Sequence, residues 1–267
     1  MNERHHSTAV IHKATRLSED VSVGAYAVIE DGVEIGSGSI IREHAIIRSG
    51  TVLGQNCLVD AHAVIGGLPQ DLGFDPRTPT GVRAGRGVTF REGVTVSRAT
   101  EEGTFTEIGN DVFLMANCHI GHDCRVGDHV ILGNNLLLSG WASVGEHGFV
   151  SGGAGVHQFV RIGASAMVGG VARVSQDLPP FCIMAERNRL VGLNLVGLQR
   201  RGLERTTIRE LKYLYGLVYS FEGRPRVLAE GALADGLAET PQGRAFLEFI
   251  IAPSKKGIMR PASRKES

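Results

Sequence analysis

Counting in steps of six from Ile11 meets an aliphatic side chain every time: Leu17, Val23, Ile29, Ile35, Ile41, Ile47, Leu53, Val59 and Ile65. A short series Val82, Val88, Val94 follows. A longer one runs Ile108, Leu114, Ile120, Val126, Leu132, Leu138, Val144, Val150, Val156, Ile162, Val168 and Val174. A period of six suits neither an amphipathic helix nor a plain alternating strand. It suits one short strand plus one turn, and three such units close a triangular coil. Stacked coils let each backbone amide find a partner in the next coil, with the aliphatic side chains turned into the prism.

Glycine supports this geometry. It supplies 36 of 267 residues, roughly twice the usual share, and it often follows the aliphatic position, as at Gly24, Gly36, Gly54, Gly109, Gly127, Gly145 and Gly163. A repeating corner that needs positive φ or close backbone approach selects glycine. The two phase breaks are as informative as the repeats. Ile65 to Val82 spans 17 residues and Val94 to Ile108 spans 14, so both gaps predict loops projecting from the prism. The first contains Gln70-Asp71-Leu72-Gly73, and the second contains Ser97 to Gly103.

The hexads end near Val174, and Asp177-Leu178-Pro179-Pro180 reads as a linker. Helical spacing then appears over Thr206 to Val218 and Arg244 to Ile250, with Thr240-Pro241 resembling an N-cap and an N1 proline. The division expected is a β-helix over 1–185 and an α-helical domain over 186–267. The 28 basic and 28 acidic residues are unevenly divided between them: 13 basic and 19 acidic up to residue 185, against 15 and 9 beyond it. The basic tail, including Arg200, Arg201, Arg205, Arg209 and Lys212, suits an acidic protein partner or phosphates. Zero overall charge argues against nucleic acid, and no apolar run reaches the ~20 residues of a membrane span. Met1 to Ser7 is polar, and the four cysteines form no CxxC pair, so a cytoplasmic chain with free thiols is expected.

The candidate chemistry lies in Cys118-His119-Ile120-Gly121-His122-Asp123-Cys124. Ile120 takes the inward place, which leaves His119 and His122 on the coil wall. An imidazole is the common general base, and an adjoining carboxylate can orient it. Gly155-Val156-His157-Gln158-Phe159 repeats the layout, with His157 a substrate or packing contact. Trp141, the only tryptophan, is expected in a subunit interface or a ligand cleft.

With these segments the sequence resembles the acyl-[acyl-carrier-protein]–UDP-N-acetylglucosamine O-acyltransferases, which begin lipid A synthesis. The resemblance also rests on Pro69-Gln70-Asp71-Leu72, Met167-Val168-Gly169-Gly170 and Gly192 to Gly202. It implies a left-handed parallel β-helix assembled as a homotrimer, with active sites between subunits. It implies His122 as general base with Asp123 beside it, and Gly140 N–H as donor to the thioester oxygen. Substrate contacts would come from Gln70, Asp71, His119, Trp141, His157 and Gln158. Asn194, Arg200 and Arg201 would handle the nucleotide and the carrier's phosphopantetheine, and Gly170 would leave room for the acyl chain.

By the same resemblance no metal or cofactor is required, the acyl group arriving on acyl carrier protein. A zinc site would draw on His119, His122, Asp123, Cys118 and Cys124. The carbonic-anhydrase-like hexapeptide branch carries H-x4-H, and no two histidines here are five apart. The sequence departs from the family pattern at Gly73, where lysine is usual, at Trp141, where histidine is frequent, and at Val196, where glutamate is usual. Those departures leave a 3-amino sugar acceptor open. The rivals are UDP-3-O-acylglucosamine N-acyltransferase, disfavoured because hexads already begin at Ile11, and a trimeric scaffold that binds an acidic partner.

Overall fold

The computed structural model describes residues 4–220 and 223–261. Short strands stack into three sheets of nine, eight and ten, and as far as Val174 each sheet takes every third strand of the chain. The first sheet begins at Val10–Ile11, the second at Arg16–Leu17 and the third at Ser22–Val23. Partners within a sheet lie 18 residues apart, as with Ile29 and Ile47 or Ile120 and Leu138, so three hexads make one turn. This is the β-helix that the six-residue period requires.

Each hexad sends two side chains inward, the strand residue and the one two positions before it. Cys118 with Ile120, Val130 with Leu132 and Leu136 with Leu138 are all fully buried. This second inward place corrects the reading of the short middle series. Ala84 pairs with Leu53 and Ile108, Phe90 with Val59 and Leu114, and Val96 with Ile65 and Ile120. The strand positions there are therefore Ala84, Phe90 and Val96. Val82, Val88 and Val94 occupy the preceding inward place, which also accepts aliphatics. Partner residues are 31 apart across the first insertion and 24 across the second, so the second adds the length of one hexad. Both insertions leave the chain as it passes from the first sheet to the second, and so emerge at the same corner of the prism.

Except at Gly66, where φ is 84°, the glycine after the strand residue answers to closeness rather than to φ. A Cβ on Gly121 would lie 2.7 Å from Gly140 N in the next coil. Positive φ falls two residues later, where Asp123 (59°), Trp141 (58°) and Phe159 (64°) succeed one another at the corner between first and second sheets. Left-handed backbone is costly for such side chains. It is fixed here by coil-to-coil bonds such as Trp141 N–H to His122 O at 3.0 Å.

The prism closes on an antiparallel pair, Cys182–Ala185 with Arg189–Leu193, which straddles the boundary expected at 185/186. Four helices follow: α1 (Leu195–Arg200), α2 (Arg205–Val218), α3 (Pro225–Ala234) and α4 (Pro241–Ile251). The buried Ile208, Leu211, Leu214 and Val218 of α2 repeat at helical spacing, and α4 packs on both α2 and α3. Thr240 caps α4 as its sequence suggests, accepting the Gly243 N–H at 3.0 Å ahead of Pro241 at the first helical position. No expectation covered α3, whose start carries Pro225 but no side-chain cap. No helix among the described residues is long and apolar enough to cross a membrane.

Asp177 locks the tail to the prism. Its buried carboxylate accepts the Arg161 N–H at 2.9 Å and Nε–H at 2.7 Å, and its backbone pairs with Gly257 and Met259. The Arg161 guanidinium also covers the Phe249 ring of α4 at 4.5 Å. Removing one partner of a buried ion pair strands the other, so Asp177→Ala is expected to cost about 3 kcal/mol of stability. Calorimetry should show a clearly lowered melting temperature. An unchanged melt would contradict this role.

Candidate active site

His122 and Asp123 form the turn between a strand of the first sheet, His119–Ile120, and one of the second, Arg125–Val126. The turn places the His122 Nδ1 2.8 Å from Asp123 Oδ2. A carboxylate only accepts, so Nδ1 carries a proton, and in the neutral form of the ring the lone pair is then on Nε2. The wall position foreseen for His122 is less open than its place in the hexad implies, since the side chain is only 8% exposed. Trp141 explains this: its ring meets the imidazole edge-on at 4.4 Å. Trp141 in turn stacks on Phe159 at 4.8 Å, and the ammonium of Lys255 lies 4.2 Å from the Phe159 ring centre.

Asp123 is held from outside its own turn. Thr100, in the second insertion, donates its N–H to Oδ1 at 3.2 Å and its hydroxyl to Oδ2 at 2.7 Å, while the Asp123 N–H donates to Thr106 Oγ1 at 2.9 Å. Gly140 sits one coil beyond His122 at the equivalent turn position. A Cβ there would lie 2.6 Å from both Nε2 and Cε1 of the ring. Among the described residues the Gly140 N–H donates to no acceptor. The corner opens into a cleft of about 490 Å³ that Asp123, Trp141, Phe159, Arg125 and Lys255 help to line.

His119 lies on the strand before the turn, half-buried, with Nδ1 2.8 Å from Thr95 Oγ1. Burial, reinforced by the neighbouring His122, holds its pKa below the usual imidazole value. Cys118 and Cys124 face the prism core, where burial pushes both thiols up to about 12. Neither is a thiolate nucleophile at neutral pH. Among the described residues no three His, Cys, Asp or Glu side chains converge to hold a metal.

The remaining candidates divide between places. Gln158 repeats the turn position of His122 and Gly140 one coil further on, and His157 is exposed beside Lys256, whose Nζ lies 3.1 Å from its Nδ1. Gln70 and Asp71 are exposed on the first insertion, where Asp71 Oδ1 accepts the Gly73 N–H at 2.9 Å. Gly170 is exposed, and a Cβ on it would meet only Gly152 O at 3.7 Å. Asn194 and Arg201 instead sit at the corner between second and third sheets. There the Asn194 amide donates to Ser165 O at 3.0 Å and the Arg201 guanidinium bonds Ser165 Oγ. Arg200 is exposed at the end of α1, and Val196 at its start. Gly170 lies at the remaining corner, between third and first sheets, so one protomer presents its candidates at all three corners. Sequence reasoning assigned no role to Thr100, Thr106 or Lys255. Only the position of Thr100 inside a phase break offered a signal.

Known proteins bear on this arrangement. A family model described as Udp N-acetylglucosamine O-acyltransferase, Domain 2, matches residues 177–259, and a bacterial transferase hexapeptide model matches 14–49 and 105–140. The chain is 40% identical to the acyl-[acyl-carrier-protein]–UDP-N-acetylglucosamine O-acyltransferase of Paraburkholderia phymatum, over 96% of its own length and 99% of that protein. It is 42% identical to the Stenotrophomonas maltophilia protein of the same name, over 92% and 94%. The solved UDP-N-acetylglucosamine acyltransferase of Francisella novicida superposes with a TM-score of 0.92 at 29% identity, covering 97% of this chain and 95% of that one. The Campylobacter jejuni enzyme superposes with a TM-score of 0.90 at 32% identity, covering 97% and 100%.

Proposed function

The chain belongs to the UDP-N-acetylglucosamine O-acyltransferase family, and we propose that it moves an acyl chain from acyl carrier protein to the 3-hydroxyl of UDP-N-acetylglucosamine, with His122 as general base. The observation that carries the reading is the oriented pair: Asp123 fixes the Nδ1 proton of His122, leaving Nε2 to accept. Nε2 takes the proton of the sugar hydroxyl as its oxygen attacks the thioester carbonyl. The carbonyl oxygen becomes an oxyanion, and the free Gly140 N–H beside the ring is the donor for it. Collapse breaks the C–S bond, and the imidazolium returns its proton to the departing phosphopantetheine thiolate. Asp123 balances the charge of the imidazolium throughout. All groups in this scheme belong to the chain or its substrates, so it uses no metal or resident cofactor.

Gln70, Asp71, His119, Trp141, His157 and Gln158 are the substrate contacts in this reading, and Gly170 marks the open course of the acyl chain. Asn194, Arg200 and Arg201 belong to the nucleotide and phosphopantetheine. Their placement at a second corner supports a site completed by a neighbouring protomer. A homotrimer is also supported by the third sheet, whose outward row runs Ile40, Leu58, Thr89, Phe113, Ile131, Phe149 and Met167. A strip of that length, apolar but for Thr89, is seldom left to water. The exposed Arg200, Arg205, Arg209 and Lys212 suit an acidic carrier protein, and the reaction is assigned to the cytoplasm, where carrier and nucleotide sugar meet.

The reading is tested by incubating the protein with a 3-hydroxyacyl-loaded carrier and UDP-N-acetylglucosamine. Acylated nucleotide sugar and free carrier thiol are expected in equal amounts, and the absence of both overturns the proposal. Replacing Arg200 and Arg201 together by alanine should raise KM for carrier or nucleotide sugar about tenfold or more, as the loss of charge-assisted bonds implies. Unchanged Michaelis constants for both substrates would remove these arginines from the binding site.

A further inference from the structure

We infer that Thr100 is a positioning residue for the catalytic pair, and that seating it on Asp123 is a function of the second insertion. The inference rests on His122 being the base. Asp123 Oδ2 serves two donors at once, the His122 Nδ1–H at 2.8 Å and the Thr100 hydroxyl at 2.7 Å, while Oδ1 takes the Thr100 N–H at 3.2 Å. The carboxylate is thus gripped from the loop side and cannot rotate about its last bond without giving up a donor. Asp123 sits at positive φ in a turn, so its own backbone offers the side chain little other guidance. The loop is itself anchored independently of Thr100, by Ala99 N–H to Gly81 O at 3.3 Å and Gly103 N–H to Pro79 O at 2.9 Å. A change confined to the Thr100 hydroxyl therefore leaves the loop in place.

A carboxylate held in one rotamer keeps the imidazole in the Nδ1–H tautomer and leaves Nε2 beside Gly140, where a Cβ would lie 2.6 Å from it. The other charged or titratable groups near the pair are His119 on the preceding strand, the buried Cys124 next to Asp123, and Glu101, Arg125, Arg161 and Lys255 around the cleft. None of them donates to Asp123.

Thr100→Val keeps the shape and the backbone donor and removes only the hydroxyl, whereas Thr100→Ser retains it. The valine variant should lose about tenfold to a hundredfold in kcat with little change in KM, as expected for a lost bond to a charged group. The serine variant should restore kcat. Wild-type kcat in Thr100→Val, or equal losses in the valine and serine variants, would overturn the proposal. Nitrogen-15 spectra of histidine-labelled protein, recorded without substrate, separate this outcome from failure of the acyl-transfer reading. His122 should be the Nδ1–H tautomer in the parent chain, and Nε2–H should gain population in Thr100→Val. An unchanged tautomer also overturns the inference.

Discussion

Replacing His122 by alanine is expected to lower kcat for acyl transfer about 10²- to 10⁴-fold, the span that a positioned general base contributes. The sugar hydroxyl is a poor nucleophile until its proton is taken. Within the corner, the group with a free basic nitrogen and an oriented partner is His122, whose Nδ1 is committed to Asp123 at 2.8 Å. His119 is no substitute: its Nδ1 is engaged with Thr95, and it lies on the strand rather than in the turn facing Gly140. The fold should survive. His122 lies outside the prism core, and its loss removes one edge-on aromatic contact with Trp141, worth about 0.5–1.5 kcal/mol. Steady-state kinetics beside a melting curve checks both halves. An inactive variant with a parent-like melt supports the base assignment, and retained turnover removes it.

Gly140→Ala should be nearly as damaging, for a steric reason. The added methyl would stand 2.6 Å from Nε2 and Cε1 of His122, well inside contact distance, so the ring must leave its place or the coil must shift. Trp141 closes the side of the ring, which limits where it can go. The substitution therefore disturbs the base and the backbone donor for the oxyanion together, and loss of one such donor alone costs about 10²- to 10³-fold in kcat. A fall of that size or more, with carrier binding retained, is the expected result. Near-parent kcat would mean that the ring and the Gly140 N–H are not arranged around one reacting atom.

The prism was legible because its signal is periodic. A side chain at every sixth residue must recur on one wall, and Ile11 to Ile65 and Ile108 to Val174 do so without a gap. The middle of the chain misled because a hexad has two inward places. Val88 and Val94 satisfy the preceding one, and Phe90 fills a strand place that aliphatics hold elsewhere. The His122-Asp123 pair was legible because its members are adjacent in the chain. Thr100 and Lys255 were not, since they reach the corner through an insertion and a returning tail, and no spacing encodes such contacts. The close fit at Gly121 was likewise hidden, because its cause is the backbone of the next coil 18 residues on rather than its own φ.

Gly73 and Val196 bear on the acceptor. The first now carries a turn in which its N–H meets Asp71, and the second is exposed on α1, so neither supplies the charge usual at those places. The most direct measurement offers equal amounts of UDP-N-acetylglucosamine and its 3-amino analogue to the protein with a loaded acyl carrier, and identifies the new bond. A product on UDP-N-acetylglucosamine with an O-3 ester that hydroxylamine cleaves is the predicted result. Exclusive formation of a hydroxylamine-resistant amide on the amino sugar would contradict it.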